Sequence, residues 1–122
     1  MHALIIEDDV SAVDRIEQAL RALGYSSFDI AFSGAEARAA AHAKCPDLIT
    51  ADLKLVDGSG VEAVLEICSH MAIPVVFITS HRREISGLLP GAIIVEKPFG
   101  QDMIEQAVVQ AVNAPLSSPP AS

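Results

Sequence analysis

Five polar residues of this sequence stand at or just after the ends of short, largely apolar segments, and their side chains could together handle a phosphoryl group. They are Glu7 and Asp8 after the first segment, then Asp52, Thr79 and Lys97 at three later ones. If the segments are strands of one parallel sheet, their carboxyl ends lie along a single edge, which is where open α/β sheets bind ligands. Three carboxylates, one hydroxyl and one ammonium would then share a site.

The chemistry of this set suits a divalent cation and phosphoryl transfer. Clustered carboxylates repel one another, and Mg²⁺ is a cation that a few carboxylates hold while water and phosphate oxygens complete its ligands. A carboxylate can attack phosphorus to form an aspartyl phosphate, which makes Asp52 the predicted nucleophile. Lys97 and the Thr79 hydroxyl would contact phosphoryl oxygens, because phosphoryl transfer depends on charges and donors aimed at those oxygens.

The composition predicts one folded domain with a short tail. The chain has 122 residues, of which 51% are hydrophobic and 20% charged, and this is enough to form a single core. We therefore assign residues 1–113 to the domain and the Pro- and Ser-rich residues 114–122 to a flexible tail or linker. The net charge of −8 and the lack of a Lys/Arg cluster argue against direct nucleic-acid binding.

Further features concern the cellular location. The amino terminus shows no basic segment followed by a long apolar run, and no apolar run approaches the ~20 residues that span a bilayer. Cys45 and Cys68 are too far apart for a Cys-x-x-Cys motif and too few for a disulfide framework, so we expect reduced thiols. These features predict a cytoplasmic protein without membrane contact.

Strand-like and helix-like patterns alternate along the sequence and predict a doubly wound α/β fold. Right-handed crossovers between parallel strands place helices on both faces of a five-stranded parallel sheet of flavodoxin-like type, built from five strand–helix units. The second strand is less apolar than the first, which favours a position nearer the sheet edge. The predicted strands are residues 3–6, 28–32, 48–51, 75–79 and 92–96.

Local signals predict where helices begin and which faces they bury. Ser33 and Glu36 have capping-box spacing and should begin the second helix. Residues 80–91 leave room for only about two helical turns, so the fourth helix should be shortened. The residues predicted to face inward are Val61, Val64, Leu65 and Cys68 in the third helix, and Ile104, Val108, Ala111 and Val112 in the last.

Two short motifs near the candidate site have local interpretations. Residues 57–60, Asp-Gly-Ser-Gly, lack the Gly-Lys-Ser/Thr ending of a P-loop, so we interpret them as a turn into the third helix. The Lys97–Pro98 bond is a candidate for the cis form, since cis peptides occur almost entirely before proline, and a sharp turn here would aim the ammonium inward.

At these residues the sequence resembles the receiver domain of two-component response regulators. The resemblance covers residues 3 to about 112, and although each fragment alone is weak, all of them in this order form a strong signal. The matching fragments are LIIEDD at 4–9, PDLITADL at 46–53, DGSG at 57–60, PVVFITS at 74–80 and EKPF at 96–99.

The resemblance implies a role for each site residue. Asp52 matches the phosphorylated aspartate, while Thr79 and Lys97 match the switch hydroxyl and the phosphate-contacting lysine. The phosphoryl donor would be the phosphohistidine of a histidine kinase or phosphotransfer protein, and the chain would catalyse only its own phosphorylation and dephosphorylation. The implied Mg²⁺ ligands are the side chains of Glu7, Asp8 and Asp52 and the backbone carbonyl of Lys54.

Two positions depart from the receiver pattern. Val56 stands where the family often has proline, and Ile94 stands where it usually has an aromatic residue that turns inward as the hydroxyl moves. The expected output is a changed protein-interaction face, made by the short fourth helix, fifth strand and fifth helix. A downstream protein contact or onward phosphotransfer is expected, because no sequence remains for a DNA-binding effector unless the chain is a fragment.

Other interpretations of the same residues stay open. Taken singly, Glu7 to Asp9 could be an acidic helix start, Asp52 a cap and Thr79 an ordinary strand residue, and only their joint placement favours a phosphoacceptor site. A receiver-like binding module without phosphorylation is one alternative. An aspartate-nucleophile phosphohydrolase resembling the haloacid dehalogenase family is less favoured, because it needs an acid where Lys54 stands.

Overall fold

Strands and helices alternate along the chain in the structure, a computed structural model that describes residues 1–69 and 71–113. The predicted tail at 114–122 therefore lies outside the described residues. The elements are β1 His2–Ile6, α1 Val10–Ala22, β2 Ser27–Ala31, α2 Gly34–Ala43, β3 Leu48–Ala51, β4 Lys54–Leu55, β5 Gly58–Ser59, α3 Gly60–Ile67, β6 Val75–Thr79, α4 Arg82–Leu88, β7 Ile94–Glu96 and α5 Gln101–Asn113.

Five of the strands form one parallel sheet in the order β2-β1-β3-β6-β7. The three inner strands are buried along their whole length, as expected for apolar runs covered by helices on both faces, and β2 lies at an edge as predicted. The register pairs Ile6 with Ala51 and Thr79 with Glu96. The strands therefore end close together at one edge of the sheet.

Strand residues alternate between two apolar cores, one on each face of the sheet. Ile5 and Val76 face the core that includes Ile16 of α1 and Ile104 of α5. Leu4, Ile49 and Phe77 face the second core, which α2, α3 and α4 complete through Ala37, Val61, Val64 and Ile85. Two helices on one face and three on the other confirm the doubly wound prediction.

Caps define the helix ends. The Ser33 hydroxyl accepts a hydrogen bond from the Glu36 N–H at 3.1 Å, as the predicted capping box requires. The Glu36 carboxylate, however, accepts from the Phe32 N–H at 2.7 Å, one residue before the cap. Helix α1 is followed by Gly24 with φ of 101°, a left-handed conformation that favours glycine.

Two predicted inward residues lie at the surface. Leu65 is 46% exposed because the buried side of α3 includes Ala63 and packs on α2 as well as on the sheet, which turns Leu65 outward. Val112 is 50% exposed because the buried stripe of α5 is narrow and centres on Ile104, Val108 and two alanines. The other predicted inward residues of both helices are buried.

Helix α4 has seven residues, of which only Ile85 is buried, so the prediction of a short fourth helix is confirmed. The fifth strand is shorter than predicted, since β7 begins at Ile94. Across residues 1–69 and 71–113, no helix combines the length and apolar character needed to cross a bilayer.

Residues 57–60, interpreted as a turn into the third helix, include β5, which pairs with β4 in a small antiparallel hairpin. Lys54 pairs with Ser59 and Leu55 with Gly58, and the φ of 140° at Gly58 suits a residue without a Cβ. Strands of two residues leave no periodicity in a sequence, which is why the pattern of residues 57–60 did not reveal them. The hairpin begins two residues after Asp52 and ends where α3 begins.

Candidate functional site

The predicted site residues meet at the carboxyl edge of the sheet. Backbone pairing continues just past the strand ends and holds their positions: the Asp52 N–H donates to the Ile6 carbonyl and the Lys97 N–H to the Thr79 carbonyl, each at 3.0 Å. The Lys97–Pro98 bond is cis, in agreement with the sequence prediction.

Lys97 joins two of the predicted acids. Its Nζ lies 2.8 Å from Oε1 of Glu7 and donates to Oδ2 of Asp52 at 3.0 Å. Glu7 is 1% exposed and Asp52 is 8% exposed, so both carboxylates are largely removed from water. One ammonium is therefore shared between two buried carboxylates, and the pair keeps an excess of negative charge.

The pKa values reflect this imbalance. Burial raises the pKa of Glu7 above its usual value, and the nearby Asp52 charge raises it further, although Lys97 and the Asp9 N–H act in the opposite direction. Burial alone would lower the pKa of Lys97, but its contacts with Glu7 and Asp52 outweigh burial and raise it. The site therefore holds a firmly protonated lysine among carboxylates that one lysine does not neutralise.

Glu7, Asp8 and Asp52 form an acidic cluster in which one oxygen from each lies within 4.8 Å of the others. Hard carboxylate oxygens at this spacing, with Asp8 exposed to solvent, fit the preference of Mg²⁺ for few carboxylates and several waters. The excess negative charge around Lys97 also favours a cation here. The donor set is therefore chemically suited to a divalent metal ion.

The Asp52 carboxylate is held by its own loop. Its Oδ1 accepts from the Leu53 N–H at 2.7 Å, which leaves Oδ2 for Lys97. A Cβ at Gly60 would overlap the Asp52 carbonyl oxygen, and the Gly60 N–H donates to the Leu53 carbonyl at 2.7 Å. Glycine at position 60 therefore lets the start of α3 approach the Asp52 backbone, a requirement that the sequence analysis missed.

Thr79 is fully buried at the end of β6, and its hydroxyl oxygen accepts a hydrogen bond from the His81 N–H at 3.0 Å. Because a hydroxyl can donate as well as accept, this contact leaves its proton for a second hydrogen-bond partner. His81 directly precedes α4. The Thr79 hydroxyl thus links the site to the start of that helix.

The sequence analysis also missed the contact that Asp57, at the tip of the β4–β5 hairpin, makes with α2. Its carboxylate accepts from the Gly34 N–H at 2.8 Å and the Ala35 N–H at 3.1 Å, at the first turn of α2. These backbone hydrogen bonds lower the pKa of Asp57. The partners are more than twenty residues apart in the chain, so no local motif could have indicated the contact.

A cavity of about 320 Å³ opens beside Lys97 on the α1 side. Residues of α1 and of the loops after β6 and β7 line the cavity, among them Ser11, Arg15, Ser80, Lys97 and Phe99.

The fold and the edge residues together define a class. A parallel sheet whose five strands follow this order binds ligands outside the carboxyl ends of its strands, and here that edge has an acidic cluster, with two of its three carboxylates buried, beside a lysine and a threonine. The chain belongs to the response regulator receiver domain family, whose sequence model matches residues 3–109. The resemblance noted from the fragments is thereby confirmed.

Proteins named PhyR are among the similar relatives. The phyllosphere-induced regulator PhyR of Methylorubrum extorquens is 34% identical over 113 residues, in an alignment that covers 89% of this chain and 42% of that protein. The PhyR receiver domain of Erythrobacter litoralis has a TM-score of 0.84 and 30% identity, covering 93% of this chain and 91% of that one. The anti-anti-sigma factor PhyR of Bartonella quintana has a TM-score of 0.77 and 36% identity, covering 92% and 46%.

Proposed function

We propose that the chain is a phosphorylation-dependent signalling switch in which Asp52 accepts a phosphoryl group from the phosphohistidine of a histidine kinase or phosphotransfer protein. The observation that supports this most is the meeting of Glu7, Asp8 and Asp52 within 4.8 Å, with Lys97 hydrogen-bonded to Asp52. Residues that are far apart in the chain are thereby combined into a phosphoryl-accepting arrangement. Membership of the receiver family supports the same function.

In the proposed step, an Asp52 carboxylate oxygen forms a bond to phosphorus while the phosphorus–nitrogen bond of the donor histidine breaks. The imidazole leaves with that electron pair and takes up a proton. Lys97 is already hydrogen-bonded to Oδ2 of Asp52 and would neutralise charge on a phosphoryl oxygen, and the Thr79 hydroxyl would donate to another. The chain would act as a switch rather than turn over a separate substrate.

We propose Mg²⁺ as the cofactor, held by the side chains of Glu7, Asp8 and Asp52 and by the backbone carbonyl of Lys54. The acidic cluster supports the three side-chain ligands. When bound, the ion would supply positive charge that offsets the repulsion between the carboxylates and an incoming phosphoryl group.

The proposed output is a change in protein contacts at the face formed by α4, β7 and α5. This face combines a short helix with one buried residue and exposed apolar side chains, among them Leu88 and Met103. Ile94 of β7 is partly buried, so the movement cannot use an aromatic side chain at this position. The name of the Bartonella relative favours a protein as the downstream partner. The cytoplasmic location expected from the sequence stays a prediction.

Incubation with Mg²⁺ and acetyl phosphate, followed by mass spectrometry of the intact protein, tests this function. We expect a gain of one phosphoryl group in the unaltered chain and none in Asp52→Ala. Asp14→Asn, which changes an exposed carboxylate on α1, is the control and should gain the group normally. A gain in Asp52→Ala would exclude Asp52 as acceptor, and no gain in the unaltered chain would favour a binding module.

A further inference from the structure

Helix α4 is attached to the candidate site through two polar contacts near its amino end. Lys54, two residues after Asp52, places its Nζ 3.7 Å from Oε2 of Glu84 on α4. The second contact is the hydrogen bond from the His81 N–H to the Thr79 hydroxyl. Glu84 also lies 3.7 Å from Nδ1 of His81, so its carboxylate is shared between the hairpin and the helix start.

The position of α4 depends mainly on weak polar contacts. Besides these two, Arg82 at the start of the helix lies 3.8 Å from Oε1 of Glu96 and donates to the Ile94 carbonyl at 3.5 Å, both at the surface. Only Ile85 of its seven residues is buried, and the residue before the helix provides no side-chain cap. Elements with few buried apolar contacts lie at the low end of local stability. Breaking weak polar contacts at the amino end should therefore increase the frequency of local unfolding of α4.

Resting on the function proposed above, we propose that the Lys54 ammonium changes partner when Asp52 is phosphorylated, leaving Glu84 and binding a phosphoryl oxygen. Two residues span at most about 7 Å of backbone, so the long side chain of Lys54 can reach a group on Asp52. The exchange would add a second lysine to the phosphoryl contacts and release α4 at the same time.

Charge decides which partner the ammonium binds. A phosphoryl group carries more negative charge than a carboxylate and offers three strong acceptor oxygens. It would stand on a largely buried residue, where Coulomb attraction is less screened than at the exposed Lys54–Glu84 pair.

This exchange would link the site to the output face without an aromatic side chain. Ile94 occupies the position at which the receiver pattern usually has one. The ion pair connects the residue two after the acceptor directly to α4, so the movement of a charge can replace the movement of a ring.

Hydrogen exchange at the α4 amides, with and without beryllium fluoride and Mg²⁺ as a phosphoryl mimic, tests the release. In the unaltered chain we expect residues 81–89 to exchange about threefold faster with the mimic, the scale of losing one exposed ion pair. Glu84→Gln should exchange at the faster rate already without the mimic and respond little to it. Glu66→Gln, which breaks an exposed pair with Arg38 remote from the site, should behave as the unaltered chain.

Measuring the half-life of the phosphoryl group on Asp52 tests whether Lys54 binds that group or only affects the stability of α4. Because Glu84 competes for the ammonium, Glu84→Gln should lengthen the half-life by about threefold, and Lys54→Gln should shorten it. In the Lys54→Gln background, Glu84→Gln should have no further effect.

Two outcomes would overturn the proposed partner exchange of Lys54, and only one of them would also overturn the proposed function. If the unaltered chain gains no phosphoryl group, the proposed function fails and this inference fails with it. If it does gain the group, but Glu84→Gln has the same effect whether or not Lys54 is present, only the partner exchange is wrong.

Discussion

At the level of single residues, the proposed phosphorylation makes two requirements of Asp52. Its carboxylate must stay reactive, and its backbone must be fixed closely enough to align that carboxylate with Lys97. The Leu53 N–H and the Lys97 ammonium take one oxygen each. The Asp52 backbone lies against Gly60, where any side chain would overlap its carbonyl oxygen. Reactivity and alignment therefore depend on a residue eight positions later that has no chemistry of its own.

Gly60→Ala tests this dependence. The added Cβ forces the start of α3 away from the Asp52 carbonyl, so we expect a loss of about 1–3 kcal/mol in the free energy of unfolding, measured with urea. Phosphorylation by acetyl phosphate should slow in the same variant, because Asp52 moves relative to Lys97.

Gly87→Ala is a matched control, since it adds the same methyl group within α4 where no atom lies within 4 Å. Helix propensity favours alanine there by up to about 1 kcal/mol. Equal stability of Gly60→Ala and the unaltered chain would contradict the close approach.

At the level of elements, the β4–β5 hairpin connects the loop after Asp52 to two helices. Asp57 at its tip accepts two N–H groups of α2, and Lys54 at its base pairs with Glu84 of α4. Negative charge at the first turn of a helix is favourable because unpaired N–H groups point outward there. The hairpin therefore holds α2 through a charged side chain in addition to the apolar core that Leu55 and α2 share.

This attachment should depend on pH, and Asp57→Asn reveals it. The folded state lowers the pKa of Asp57 from its usual 3.8, so its stabilising contribution is present above that value and is lost as pH falls through the lower folded value. We expect the urea midpoint of the unaltered chain to exceed that of Asp57→Asn from about pH 6 to about pH 4.5, with the difference shrinking toward about pH 3. A difference that stays constant over this range would show that the charge of Asp57 does not matter.

The elements also show what a sequence can predict and what it cannot. Strands β3 and β6 have the predicted bounds because each is a buried apolar run next to a clear boundary. The prediction that Leu65 and Val112 face inward was wrong. Helical periodicity gives the direction of an apolar face but not its width, which neighbouring helices determine. The Asp57 contact with α2 and the Lys54–Glu84 pair join segments that are distant in the chain, so only the folded arrangement reveals them.

The meeting of the site residues was predictable for a different physical reason. Parallel strands share one carboxyl edge, so polar residues at their ends must converge whatever the helices do. Glu7, Asp8, Asp52 and Lys97 do meet there. The hydrogen bond of Thr79 to His81 was not predictable, because the direction of a hydroxyl depends on the backbone that follows it.

For the whole molecule, the distribution of charge matters more than its total. The net charge is −8, and much of the acidic character lies on the surface, where it is screened. The acidic cluster is different, because Glu7 and Asp52 are buried and share one lysine. The fold therefore keeps uncompensated negative charge at the one edge where its topology favours ligand binding.

A bound cation should stabilise the entire fold for this reason. If Mg²⁺ binds the folded chain and not the unfolded one, a concentration about one hundred times its Kd adds about 2.7 kcal/mol to the free energy of unfolding. We expect this gain, measured by urea unfolding with Mg²⁺ and again with EDTA, in the unaltered chain and in Asp14→Asn. Asp8→Asn should lose most of the gain, yet be at least as stable as the unaltered chain in EDTA, because it removes one of three repelling carboxylates and Asp8 is exposed and outside both cores. An equal gain in Asp8→Asn would place the cation elsewhere and remove the acidic cluster as its site.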